Sequence, residues 1–187
     1  MTASSAESIA QPGDVIAFWR NAGRKKWFSK DDAFDAEVRR RFLATYEAAA
    51  SEKLRDWEGS AEGALALVIA LDQFSRNMFR KDARTFAADP VARGVAGRAL
   101  ARGFDHGVVP EMRTFFFLPF MHSEDIADQE RCVALYRAID DPDSLKYAED
   151  HADIIRRFGR FPHRNAVLGR KTTPQEQAFL DSGGFAG

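Results

Sequence analysis

Apolar positions in this chain return every three to four residues, and no stretch alternates with period two long enough to form a strand. The pattern predicts an all-α protein. A first short helix follows Pro12 and Asp14, runs through Ile16, Phe18 and Trp19, and ends at Gly23. Trp27 and Phe28 precede a long helix capped by Asp31 or Asp32, along which Phe34, Val38, Phe42 and Tyr46 form one stripe. Ser60 and Glu62 open a helix from Ala61 to about Phe79, whose Leu65, Leu67, Val68, Ile69 and Leu71 leave almost no polar face. This should be the central, buried helix. Asp89 and Pro90 give a cap and first turn to a helix ending near Gly103. Pro110 opens a Phe-rich segment, Phe115 to Leu118, that Pro119 interrupts; Ser123 then caps a helix to about Ile139. Asp143 or Ser144 caps another that stops at Gly159, and Thr173, Pro174 and Glu176 make a capping box for the last. The sum is about eight helices joined by short loops, a stack of antiparallel helical hairpins. No literal repeat is present, so a solenoid does not follow from the pattern alone.

Length and composition narrow the class further. A chain of 187 residues is one ordinary domain, read here as a tail over residues 1–11 and a helical domain over 12–187. The tail has neither a basic start nor an apolar core, so it is not a signal peptide. The apolar runs are far shorter than the roughly 20 residues that cross a bilayer. Cys132 stands alone, which rules out an internal disulfide and fits a reducing compartment. A cytoplasmic protein without a membrane role is the expectation. The formal net charge is −1, which disfavours bulk nucleic-acid binding.

Against that neutral background, one stretch is strongly biased. Between Ile154 and Gln175 stand Arg156, Arg157, Arg160, Arg164, Arg170 and Lys171, with His163 and no carboxylate. Such local charge marks a place where an anion is held, whether it comes from the fold or from a ligand. Within RFGRFPHRN, Gly159 can end a helix in the left-handed region, Pro162 stiffens the loop, and His163, Arg164 and Asn165 supply donors. Phe158 and Phe161 are read as core anchors of the loop; stacking on nucleobases would need a broader platform.

Two other places combine charge with apolar surroundings. Asp72 continues the face of Leu65 and Ile69, with Arg76 one turn on and Asn77 beside it. The plain reading is a buried salt bridge; the functional one has Asp72 orienting a cation of the 156–171 segment. His122 and Glu124 follow the Phe-rich segment, where a half-buried imidazole suits acid or base work or a structural hydrogen bond. The only plausible metal set, His122, Glu124, His151 and His163, lacks every helical ligand spacing, so neither metal nor cofactor is expected. Phosphate loops, dinucleotide fingerprints and nucleophile elbows are missing too.

Phe18-Trp19, Trp27-Phe28, Phe34-Asp35, LDQFSRN at 71–77, PFMHSE at 119–124, RFGRFPHRN at 157–165 and Leu168-Gly169-Arg170 occur in an order that resembles a bacterial family, domain of unknown function 924. The resemblance implies an all-helical, TPR-like fold and a shared polar constellation, and it lends no activity. Ser75 departs from the pattern, which leads one to expect LDQFPRN; a proline there would kink the buried helix.

The leading expectation is a TPR-like binding module whose pocket, lined by Asp72, Arg76, Asn77, His122, Glu124, Arg160, His163, Arg164 and Asn165, takes a small anion or a carboxylate-bearing peptide. A second reading is a hydrolase or transferase in which His122 or His163 acts as acid or base, Glu124 or Asp72 orients it, and arginines stabilise negative charge. A third, RNA or single-stranded nucleic acid binding, fits the neutral charge least. Oligomeric state is not readable from the sequence.

Overall fold

The computed structural model describes residues 8–185, and among them every regular element is a helix. They form two compact units that divide between Pro119 and Phe120. Residues 1–7 of the expected tail lie outside the described part; Ala10 beyond them donates its N–H to the Thr45 hydroxyl at 2.9 Å.

The first unit begins with α1 (Pro12–Trp27), in which Gly23, at φ 75° and ψ 166°, breaks the helical path where the sequence places an end. α2 (Asp32–Ala50) starts at Asp31, whose carboxylate accepts the Phe34 N–H. It buries Phe34, Val38, Phe42 and Tyr46, the stripe written at four-residue intervals. The central helix is α3 (Ala61–Val68), which passes through a π-helical turn (Ile69–Phe74) into α4 (Ser75–Met78). Every residue from Gly63 to Ser75 is buried, as a helix with no polar face requires. Gly63 is dictated by a neighbour: a Cβ there would lie 2.1 Å from the Trp57 carbonyl oxygen. Aromatic rings fill the space between these helices. Phe42 stacks on Phe74 with centroids 4.7 Å apart, and Trp19 meets Phe74 and Phe115 edge to face at 5.6 and 5.8 Å.

Short α5 (Arg84–Ala87) leads into α6 (Asp89–Ala101). Asp89 is not the cap: the cap position is Ala88, and the Asp89 carboxylate turns to Arg76 instead. α7 (Pro110–Met121) runs through Pro119 without ending there. A proline inside a helix costs about 3 kcal/mol. Phe115, Phe116, Phe117, Leu118, Phe120 and Met121 are all buried, and each such side chain returns about 1.5–3 kcal/mol, so packing wins.

In the second unit α8 (Ile126–Ala138) and α9 (Pro142–Phe158) are joined by residues 139–141 and pack together as a helical hairpin. Their caps differ from the expected ones by a few residues. Asp125 caps α8, while Ser123 accepts the Asp125 N–H at 3.1 Å and donates to Asp128 at 2.7 Å; Asp141 caps α9. α9 buries Ala148, His151, Ala152 and Ile155, spaced by three and four. α10 (Pro174–Asp181) carries the predicted capping box of Thr173 and Glu176.

Candidate functional site

The structure divides the sequence-selected residues by unit. Asp72, Arg76 and Asn77 belong to the first; His122, Glu124, Arg160, His163, Arg164 and Asn165 belong to the second.

In the first unit Asp72 is fully buried inside the π-helical turn. Arg76 reaches its carboxylate at 3.2 Å and its backbone carbonyl at 2.8 Å, then binds both oxygens of Asp89 at 2.9 and 3.1 Å. Gln73 donates to the second Asp72 oxygen at 2.6 Å. Burial works against the guanidinium's charge, but Asp72 and then Asp89 outweigh it and hold Arg76 above its ordinary pKa. Asn77 points elsewhere, donating to Asp35 at 2.7 Å; Arg80 clasps the same carboxylate.

In the second unit the chain from Gly159 to Thr173 is held by two carboxylates. Gly159, at φ 69°, ends α9 in the left-handed conformation that only glycine adopts readily. This turns Arg160 toward α10, where it binds Glu176 through two nitrogens at 2.6 and 2.9 Å and the Lys171 carbonyl at 2.8 Å. Glu176 also accepts from the Thr173 N–H at 2.7 Å and from Asn165 at 3.2 Å. Hydrogen bonds from Arg160 first, and then the Thr173 N–H, pull its pKa down to about 2 despite burial.

Glu124 repeats the arrangement at the other end of the loop. It accepts two bonds from Arg170, at 2.7 and 3.0 Å, and one from the Phe161 N–H at 2.8 Å. Burial raises its pKa, and the Arg170 and Phe161 bonds together outweigh burial and lower it. Arg170 also donates to the Asn165 side chain at 3.0 Å and to the Phe161 carbonyl at 3.1 Å. Arg160, Glu176, Asn165, Arg170, Glu124 and the Phe161 backbone are thus one continuous hydrogen-bonded network. Phe161, 1% exposed, anchors it in a core with Ile154 and Ile155, as the sequence suggested. Arg164 donates to the His122 carbonyl at 2.9 Å and lies 4.6 Å from the Phe161 ring centroid. His163 sits between aromatic rings, 5.6 Å from Phe161 and 5.1 Å from Phe185.

With this geometry in view, the chain can be compared with known proteins. A model of bacterial proteins of unknown function, DUF924, matches residues 15–184. The chain belongs to this family. A solved protein of unknown function from Agrobacterium tumefaciens is 47% identical, with a TM-score of 0.89 over 91% of this chain and 97% of that one. No curated protein matches it.

For this DUF924 chain, sequence reasoning missed four partners: Arg170, Glu176, Asp89 and Asp35. Glu176 and Asp89 were hidden by their helix-start positions, which explain a carboxylate without further purpose. Arg170 stood in the counted cationic stretch, and its 46-residue separation from Glu124 is invisible to local spacing. Among the described residues no three His, Cys, Asp or Glu side chains gather as a metal ion would need, and no helix is long and apolar enough to cross a membrane.

Proposed function

We propose that the protein is a cytoplasmic, TPR-like binding module whose second unit presents His163 and Arg164 from a preorganised loop to a small anion or a carboxylate-bearing peptide. The observation that supports this reading is the double clamp on that loop. Glu124 and Glu176 take Arg170 and Arg160 in two-pronged contacts, fixing the backbone on both sides of His163 and Arg164. Rigid support of this kind lowers the ordering cost of binding and suits a recognition loop. In this division of labour Arg160, Arg170 and Asn165 are supports, and half-buried His163 makes the contact together with Arg164, which is 7% exposed and turns from the His122 carbonyl to do so. A planar guanidinium in this place favours a ligand with paired oxygens.

Thermal-shift and calorimetric titrations of the full chain with phosphate, dicarboxylates and short peptides bearing free C-termini test it. Saturable stabilisation by one of these, lost in Arg164→Ala and weakened in Arg164→Lys, is the expected result. Lack of response to every anion, with strong destabilisation by Arg164→Ala, would make the loop a purely structural lock.

A further inference from the structure

A cleft of about 290 Å³ opens along α9, lined by Tyr147, Asp150, His151, Asp153, Phe179 and Phe185 together with Ile154 and Arg157. Its size is near the lower end of small-molecule pockets, roughly 300–1,000 Å³. The helix explains the lining: Tyr147, Asp150, His151 and Ile154 are spaced by three and four, so they share a face. Tyr147 and Phe185 are among the exposed large hydrophobics, at 63% and 39%.

Arg157 is the one cation in the lining of this cleft, and a histidine and two carboxylates stand against it. His151 is 7% exposed, and its Nδ1 lies 2.7 Å from the Tyr147 carbonyl oxygen. A carbonyl can only accept, so Nδ1 carries the proton of the neutral ring, and Nε2 is left as an acceptor. That Nε2 makes no hydrogen bond within the described chain. Asp150 and Asp153 add carboxylates. Their partners are exposed: Lys146 meets Asp150 at 2.7 Å and Arg157 meets Asp153 at 3.4 Å. Exposed pairs of this kind contribute little, so a better-placed cation can displace them. The aromatic wall already accepts one cation, with the Arg157 guanidinium 5.1 Å from the Phe179 ring centroid. Acceptor nitrogen, carboxylates and ring faces all suit a donor-bearing cation, whereas an anion would meet two like charges.

We propose that this cleft binds an organic cation, an alkylammonium or guanidinium group, carried by a free amine or by a basic side chain of a peptide. The site shares Phe185 with the surroundings of His163, 5.1 Å away, while Tyr147, Asp150 and Asp153 lie on α9 outside the 159–173 loop.

The test is a titration of the full chain with cadaverine and agmatine, using the diol and the dicarboxylate of matching length as controls, followed by NMR of His151 and Tyr147 and by calorimetry. Saturable shifts with both cations and none with the diol are expected, while the dicarboxylate reports on the anion-binding loop. Asp150→Asn combined with Asp153→Asn should weaken the cations by about tenfold or more, and Tyr147→Ala should weaken them independently. All three positions are exposed, so these variants keep the fold. A capped peptide with one internal lysine distinguishes the sources: tighter binding than cadaverine assigns the cation to a peptide, weaker binding assigns it to a free amine. Equal response to the diol, silence toward both cations, or full binding retained in the double variant each overturns the proposal. The double variant should keep whatever anion response the parent shows, which separates this result from the fate of the anion-binding loop.

Discussion

Both units carry arginines bound by acids, but the acids do different work. In the first unit Asp72 and Asp89 sit on packed helical elements, and one guanidinium bridges them with side-chain exposures of 0% and 8% on the acids and 20% on Arg76. In the second, Glu124 and Glu176 meet irregular backbone: the Phe161 and Thr173 N–H groups, with the Phe161 and Lys171 carbonyls taken by the arginines they hold. A helix supplies its own backbone partners, so an acid buried against it is free to bind another helix's side chains. A loop cannot, and its acids must serve the backbone as well. The first cluster therefore joins elements that would exist without it, while the second makes the conformation of residues 159–173 possible.

The largest effect should come from removing an acid at the centre of the first cluster. Asp72→Ala leaves Arg76 with one carboxylate fewer in a dry site and should cost about 3 kcal/mol or more in urea unfolding. Asp72→Asn keeps part of the hydrogen bonding and should cost less. A loss below about 1 kcal/mol would place this pair in the class of surface contacts and erase the contrast.

Next comes acid sensitivity from the loop. The Glu176 pKa is depressed from 4.5 to about 2, so the unfolded chain takes up its proton first as pH falls. Its stabilisation is fully present above the unfolded value and fades as pH drops from about 4.5 toward about 2, a total of order 3 kcal/mol. Glu176→Gln should flatten the stability curve across that window and leave the first cluster untouched. Glu124→Gln should show the same direction with a smaller amplitude, since that carboxylate is 27% exposed and its depression is opposed by burial. An equal or larger amplitude at Glu124 would reverse the ranking of the two clamps.

How much of this was legible in the sequence follows the same division. The helices, the buried central element, the Asp72 to Arg76 pair and the ends at Gly23 and Gly159 are local events, written in periodicities of three and four and in glycine's tolerance of positive φ. Proline misled at Pro119 because the local cost was visible and the burial of six flanking apolar side chains was not. Of the loop, only the excess of cations could be read. Which acids answer them is set by tertiary return of the chain, 16 residues for Arg160 and 46 for Arg170, and no local rule carries that information.

The smallest expected effect lies at the end of α9, where cations stand outside the network. Arg157 meets Asp153 at 3.4 Å with both side chains at least half exposed, and its guanidinium lies 4.9 Å from Phe158 and 5.1 Å from Phe179. The ion pair is screened by water and salt, and exposed pairs contribute about 0–1 kcal/mol. Stacking of this half-exposed guanidinium on the partly buried rings adds about 0.5–1 kcal/mol. Arg157→Ala should thus change stability by about 1 kcal/mol or less in urea unfolding. A larger loss would mean that the cationic stretch stabilises this unit along its whole length. The distinction between a loop clamped at two points and a surface that is merely charged would then fail.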